Sequence, residues 1–116
     1  MECLHEDTAD GVRIIRLVGR MDIEGSGDVA VRFDALTASG GRVIVDLSGV
    51  EFLSSLGIGT LVGGARTVKL RAGVLALCGA RPHVLTALKR TNIPGIIPTC
   101  DTVDEARALV AAASEP

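Results

Sequence analysis

Arg42-Val43-Ile44-Val45-Asp46-Leu47-Ser48-Gly49-Val50-Glu51-Phe52-Leu53-Ser54-Ser55-Leu56-Gly57-Ile58 decides the fold. The run from Arg42 to Leu47 is short, apolar and bounded by turn signals, the pattern of a strand covered on both faces. Ser48 to Leu53 reads as a loop. From Ser55 onward Ile58, Leu61, Val62 and Ala65 recur at i, i+3, i+4 and i+7, which is one face of a helix. A covered strand followed by an amphipathic helix belongs near the middle of a sheet layered with helices.

Working outward, Val12 to Val18 is β-branched and partly alternating, and Leu4 to Glu6 supplies a partner strand across an Asp10-Gly11 turn. Val29, Phe33 and Leu36 mark a helix after Gly25-Ser26-Gly27, stopped by Ser39-Gly40-Gly41. Downstream, Gly73 to Leu77 is a strand, and Pro82 opens a helix with Val84, Leu85 and Leu88 inward and Thr91-Asn92 at its end. Gly95-Ile96-Ile97-Pro98 is expected as a last short edge strand, and Asp101 as the cap of a final helix with Val103, Ala106 and Val110 inward. The order β-β-α-β-α-β-α-β-α predicts an α/β fold, with a mixed sheet of about five strands and about four helices. The length of 116 residues suits one domain, residues 1–116.

Composition narrows the function. Hydrophobic residues are 47% of the chain and charged residues 22%, which argues for a packed core over a charged, disordered polymer. Aromatics are 2%, with no Trp or Tyr, so stacking platforms for single-stranded nucleic acid are missing. A net charge of −2 draws the chain neither to nucleic acid nor to an anionic membrane. The charge is uneven, however: from Phe52 to Cys100 there is no acid, and Arg66, Lys69, Arg71, Arg81, Lys89 and Arg90 stand alone. Either the six cations are merely solvated, or a partner with an acidic face uses them. Cys3, Cys78 and Cys100, with no CxxC and only His5 and His83 beside them, suggest neither a disulfide framework nor a metal site. No cofactor is expected. No signal peptide or long apolar run is evident, so the expectation is a cytoplasmic protein without direct membrane insertion.

Catalytic candidates are few. His5 and His83 have no carboxylate partner near them in sequence, and Ser55 lacks a G-x-S-x-G elbow. Gly57-Ile58-Gly59-Thr60-Leu61-Val62-Gly63 looks nucleotide-like. Yet nine residues separate Leu47 from Gly57, no acid ends the next strand, and no Lys follows the glycines. The expectation is a protein that is not an enzyme. The glycines then need another reason, because each costs about 0.8–1 kcal/mol inside a helix. Leu56, Gly59, Thr60, Gly63 and Thr67 fall on one stripe, distinct from the inward residues, and small residues there admit another backbone. Tight packing within the domain and a partner surface both satisfy that pattern. At the helix start, Ser54-Ser55 reads either as a plain cap or as a phosphorylation site. A phosphate there would meet the positive end of the helix dipole and leave the fold intact. It would also add about −1.5 to −2 of charge beside the small-residue face.

Val45 to Ile58 closely resembles the signature of STAS domains, in particular the bacterial anti-sigma factor antagonists, in which a D-L-S-x-V strand end leads to a helix with an N-terminal phosphoserine. Leu17-Val18-Gly19-Arg20-Met21-Asp22 resembles the family's L-x-G-x-L-D, and Leu85 to Ile93 its L-x-x-T-G-L. The resemblance implies a partner-switching cycle. The unphosphorylated chain would bind an anti-sigma factor that is also a serine kinase with a histidine-kinase-like ATPase fold, so freeing a sigma factor. Phosphorylation of Ser55 would break that complex, and a PP2C-type phosphatase would restore it. Ser54 is a rival acceptor, because it stands where members of D-S-S-G form carry an acid and Leu56 stands where they carry a second serine. Asp22 and Asp46, expected on loops at one end of the sheet, would shape the surface together with Ser54, Leu56, Gly57, Gly59, Thr60 and Gly63. The alternatives for the two acids are that Asp22 caps the first helix and Asp46 closes a strand. Some STAS domains work without phosphorylation, so a constitutive accessory subunit of an ABC-type lipid transport complex is the alternative function.

Overall fold

A computed structural model describes residues 1–113. Five strands form one sheet in the order β1-β2-β3-β4-β5: β1 (Glu2–Asp7), β2 (Val12–Met21), β3 (Arg42–Leu53), β4 (Val74–Cys78) and β5 (Thr99–Cys100). β1 pairs antiparallel with β2, and every later pairing is parallel. The opening hairpin turns where Asp10-Gly11 predicted it, with Gly11 at φ 82°. The helices α1 (Ile23–Thr37), α2 (Ser55–Leu70), α3 (Pro82–Arg90) and α4 (Val103–Ala113) alternate with the parallel strands, as expected for an α/β chain with a mixed sheet.

Strand alternation divides the core in two. Ile15, Leu17, Val45, Leu47 and Leu77 face Phe33 of α1, Leu61 and Val68 of α2 and Leu88 of α3. Ile14, Ile44, Ala76 and Cys78 face the other way, against Ala106 and Val110 of α4. Three helices therefore cover one face, and α4 packs on the other against β3, β4 and β5.

Four sequence expectations are corrected. β3 does not stop at Leu47 but runs on to Leu53, so the supposed loop from Ser48 is strand. Its register with β2 slips twice, leaving Leu47-Ser48 opposite Leu17 alone and Glu51 without a partner between Val50 and Phe52. Such bulges interrupt the period-two pattern by which a strand is recognised. α1 begins at Ile23, ahead of Gly25-Ser26-Gly27, because Asp22 caps it there. The stretch from Gly95 to Pro98 is not the last strand. Ile93–Gly95 forms a 3-10 turn after Asn92 takes the left-handed conformation at φ 58°, and β5 follows Pro98, which lacks the N–H a ladder needs. Finally, Thr102 caps α4 in place of Asp101: its Oγ1 accepts from the Glu105 N–H at 3.1 Å.

Candidate docking and modification site

β2 and β3 are parallel and end together, with Met21 opposite Leu53. The helices that follow them therefore start side by side. Asp22 caps α1, accepting from the Gly25 N–H at 2.8 Å. Ser54 caps α2, accepting from the Gly57 N–H at 3.2 Å while donating its hydroxyl proton to the Met21 carbonyl at 2.7 Å. Its own N–H also reaches Met21 O, at 3.0 Å. Ser54 thus staples the end of β2 to the start of α2, and its hydroxyl is used in both directions. Ser55 differs. It is the first residue of α2, exposed, and its side chain makes no hydrogen bond among the described residues. No acid stands in the first turn of α2, so the positive end of the helix is uncompensated there.

The stripe on α2 divides the glycines by what surrounds them. A Cβ on Gly59 or Gly63 would meet nothing within 4 Å, so packing among the described residues does not explain them. Leu56, 52% exposed, lies on the same face, with Thr60 and Thr67 partly covered beside it. Both threonines turn their hydroxyls back to helix carbonyls, Leu56 O at 3.2 Å and Gly63 O at 3.0 Å. Gly57 does not belong to this surface. It is buried, and a Cβ there would lie 2.7 Å from Met21 Cγ and 2.9 Å from Leu53 Cδ1, so its role is to let α2 sit on the strand ends.

Asp46 is also displaced from the expectation. It sits within β3 on the α4 face, several residues short of the strand end and so roughly 20 Å from Ser54 at about 3.3 Å per residue. There it accepts from the Ser48 N–H at 2.9 Å and faces Arg16 Nε at 3.6 Å. Asp22 is at the right end of the sheet, and its carboxylate is engaged as a cap. Sequence reasoning missed Arg20 and Phe52, which are strand partners at this end, with the guanidinium 4.7 Å from the ring centroid. Between the two slips the alternation is reversed, which turns Val50 to the face of Val45 and Leu53, and after the second slip Phe52 returns to the opposite face.

The remaining reactive groups lie elsewhere. Burial, with Asp46 close by, pushes the Cys78 thiol up to about 12, and burial also raises Cys3 and Cys100. All three are protonated at neutral pH and weak as nucleophiles. His83 bonds the Glu51 carbonyl through Nε2, and His5 lies against Arg32. No group of three His, Cys, Asp or Glu among the described residues could hold a metal ion. No described helix is long and apolar enough to cross a membrane.

Comparison with known proteins bears on the family and the fold. The family model of the STAS domain matches residues 6–106. The anti-sigma F factor antagonist of Paenibacillus polymyxa is 28% identical over 93 residues, 78% of this chain and 80% of that one. An anti-sigma factor antagonist from Mycobacterium paratuberculosis superposes with a TM-score of 0.86 at 26% identity, over 95% of this chain and 93% of that one. An anti-sigma-factor antagonist (STAS) domain protein from Planctomyces limnophilus superposes with a TM-score of 0.80 at 29% identity, over 97% and 98%.

Proposed function

The chain belongs to the STAS domain family, and from that premise we propose that it is an anti-sigma factor antagonist whose binding is switched by a phosphate on Ser55. The observation that carries the reading is the pairing of an exposed, unbonded Ser55 with an α2 face on which Gly59 and Gly63 touch nothing. Unphosphorylated, this face accepts an anti-sigma factor that is also a serine kinase with a histidine-kinase-like ATPase fold, and the sigma factor is freed. The glycines let a partner backbone come close, and Leu56 and Thr60 supply apolar contact. Asp22, locked as a cap, holds the neighbouring helix start in place.

A phosphate on Ser55 points into the positive end of α2, where amide groups and the dipole favour it, so the fold tolerates it. The docked partner does not. It would have to desolvate or oppose about −1.5 to −2 of added charge, and like-charge contact costs several kcal/mol, with every ~1.4 kcal/mol a tenfold loss of affinity. A PP2C-type phosphatase resets the cycle. The protein catalyses nothing itself and works in the cytoplasm, with its partners.

Intact-mass measurement with phosphopeptide mapping, on protein from its native host in growing and stressed cells, tests the reading. The expected result is one phosphate, on Ser55, whose occupancy differs between the two states. A Ser55→Ala bait should then retain a serine kinase that a Ser55→Asp bait does not. Phosphate on Ser54 would overturn the choice of acceptor. Absence of phosphate in both states, with equal retention of a transporter ATPase by both baits, would replace the reading by that of a constitutive lipid-transport subunit.

A further inference from the structure

A cleft of about 500 Å³ opens beside β4, between the C-terminal half of α2 and the segment that precedes β5. Its walls are mostly apolar, including Val62, Ala65, Leu75 and Ile97, and none of the described residues lining it is acidic. Arg66 and Lys69 stand on its α2 wall, exposed, and neither has an ion-pair partner among the described residues. Ile96, at the opposite lip, is 66% exposed.

The cleft also contains an unfinished sheet edge. In β4 the Val74 N–H donates toward β3, to Gly41 O at 2.9 Å, and the Leu77 N–H donates toward β5, to Pro98 O at 2.8 Å. By the alternation of a strand, the N–H and C=O of Leu75 point the same way as those of Leu77. Pairing with β5 covers only Leu77 and Cys78, and the residue placed to donate to Leu75 O is Pro98, which has no N–H. A main-chain donor and acceptor are thus presented in an apolar slot beside two unpaired cations.

We propose that this cleft binds a short extended segment of a partner protein, rich in acidic residues, which adds as a strand beside Leu75 and sets its carboxylates against Arg66 and Lys69. Main-chain bonds supply the register and alternate side chains enter the apolar slot, the usual logic of strand addition. Charge selects the ligand: apart from Ala113, the described residues lining the cleft all come from the acid-free stretch from Phe52 to Cys100. At about 100° per residue the middle of this wall is roughly 90° round α2 from Gly59 and Gly63, with Arg66 three residues beyond Gly63 and Lys69 farther round. The two surfaces therefore adjoin along α2 without coinciding, and the peptide test uses unphosphorylated chain so that it reads the cleft alone.

The probe is a fluorescein-labelled six-residue peptide alternating valine with glutamate, titrated with the full chain at physiological salt and read by anisotropy. Saturable binding is expected, weakened at least tenfold by Arg66→Glu with Lys69→Glu, both exposed positions that leave the fold alone. Ile96→Glu, at the opposite lip, should weaken it as well. N-methylation of alternate peptide amides in one phase should abolish binding and in the other phase should not, because only one set of amides faces Leu75. Four results would overturn the proposal: no saturation by millimolar peptide, equal binding of both N-methylated forms, unchanged binding by the double variant, or equal binding of a valine–lysine peptide. Binding of dodecanoate, lost in the double variant, by a protein that ignores the peptide would also overturn it in favour of an anionic amphiphile.

Discussion

α2 carries two pairs of glycines that the sequence writes alike and the structure uses in opposite ways. Gly57 and Gly64 are buried, and Gly64 is so close to α1 that a Cβ would lie 2.4 Å from Phe33 Cε2. A Cβ on Gly59 or Gly63 would meet nothing within 4 Å. All four weaken the helix by about 0.8–1 kcal/mol each relative to alanine. Close packing inside the chain offsets that loss for the first pair, whereas for the second pair nothing within the described structure does. The difference teaches where to look for selection outside the fold: at the residues that are unfavourable locally and uncompensated at home.

Substitution should separate the pairs by sign. Gly64→Val drives two methyl groups toward the fully buried Phe33 ring and should lower stability by about 2–3 kcal/mol in urea unfolding, the usual range for overpacking a core. Gly59→Ala combined with Gly63→Ala should do the reverse. Both methyls enter open space, so the double variant should gain about 1.5–2 kcal/mol from helix propensity alone. On the proposed function the same variant loses affinity for its anti-sigma factor by tenfold or more, which isothermal titration would measure. A double variant that is both more stable and fully competent to bind would remove the argument from the stripe.

How much of this was legible beforehand follows the same division between local pattern and tertiary placement. The element order, the α1 face of Val29, Phe33 and Leu36, and the end of α3 at Thr91-Asn92 are local, and the structure has them as read. The second half of β3 was not legible, because bulges opposite Leu17 and at Glu51 break the alternation. One misreading then caused another: with the strand ended at Leu47, Asp46 falls beside a loop, whereas the true strand end lies at Leu53. The tail near Pro98 misled similarly, since a β-branched pair such as Ile96-Ile97 signals a strand unless the missing proline N–H is weighed against the partner's needs. Which glycine packs and which stands free is a property of the neighbours across the core. Only coordinates decide it.

The two serines at the start of α2 extend the comparison to its smallest expected effects. Ser54→Ala removes the acceptor for the Gly57 N–H and one of two donors to Met21 O, and should cost about 1–2 kcal/mol by the measure of lost N-caps. Ser55→Ala removes a side chain that bonds nothing and should stay within about 0.5 kcal/mol of the parent, as exposed substitutions do. Ser55→Asp is the sharper case, because a negative charge on the first residue of a helix with no acid in its first turn should stabilise it by about 0.3–1 kcal/mol. Thermal unfolding of the three variants at low salt should therefore rank Ser55→Asp above Ser55→Ala above Ser54→Ala. If Ser55→Asp instead destabilised the fold, a phosphate on Ser55 would act by disturbing α2, and the separation of fold from binding that makes this residue a clean switch would fail.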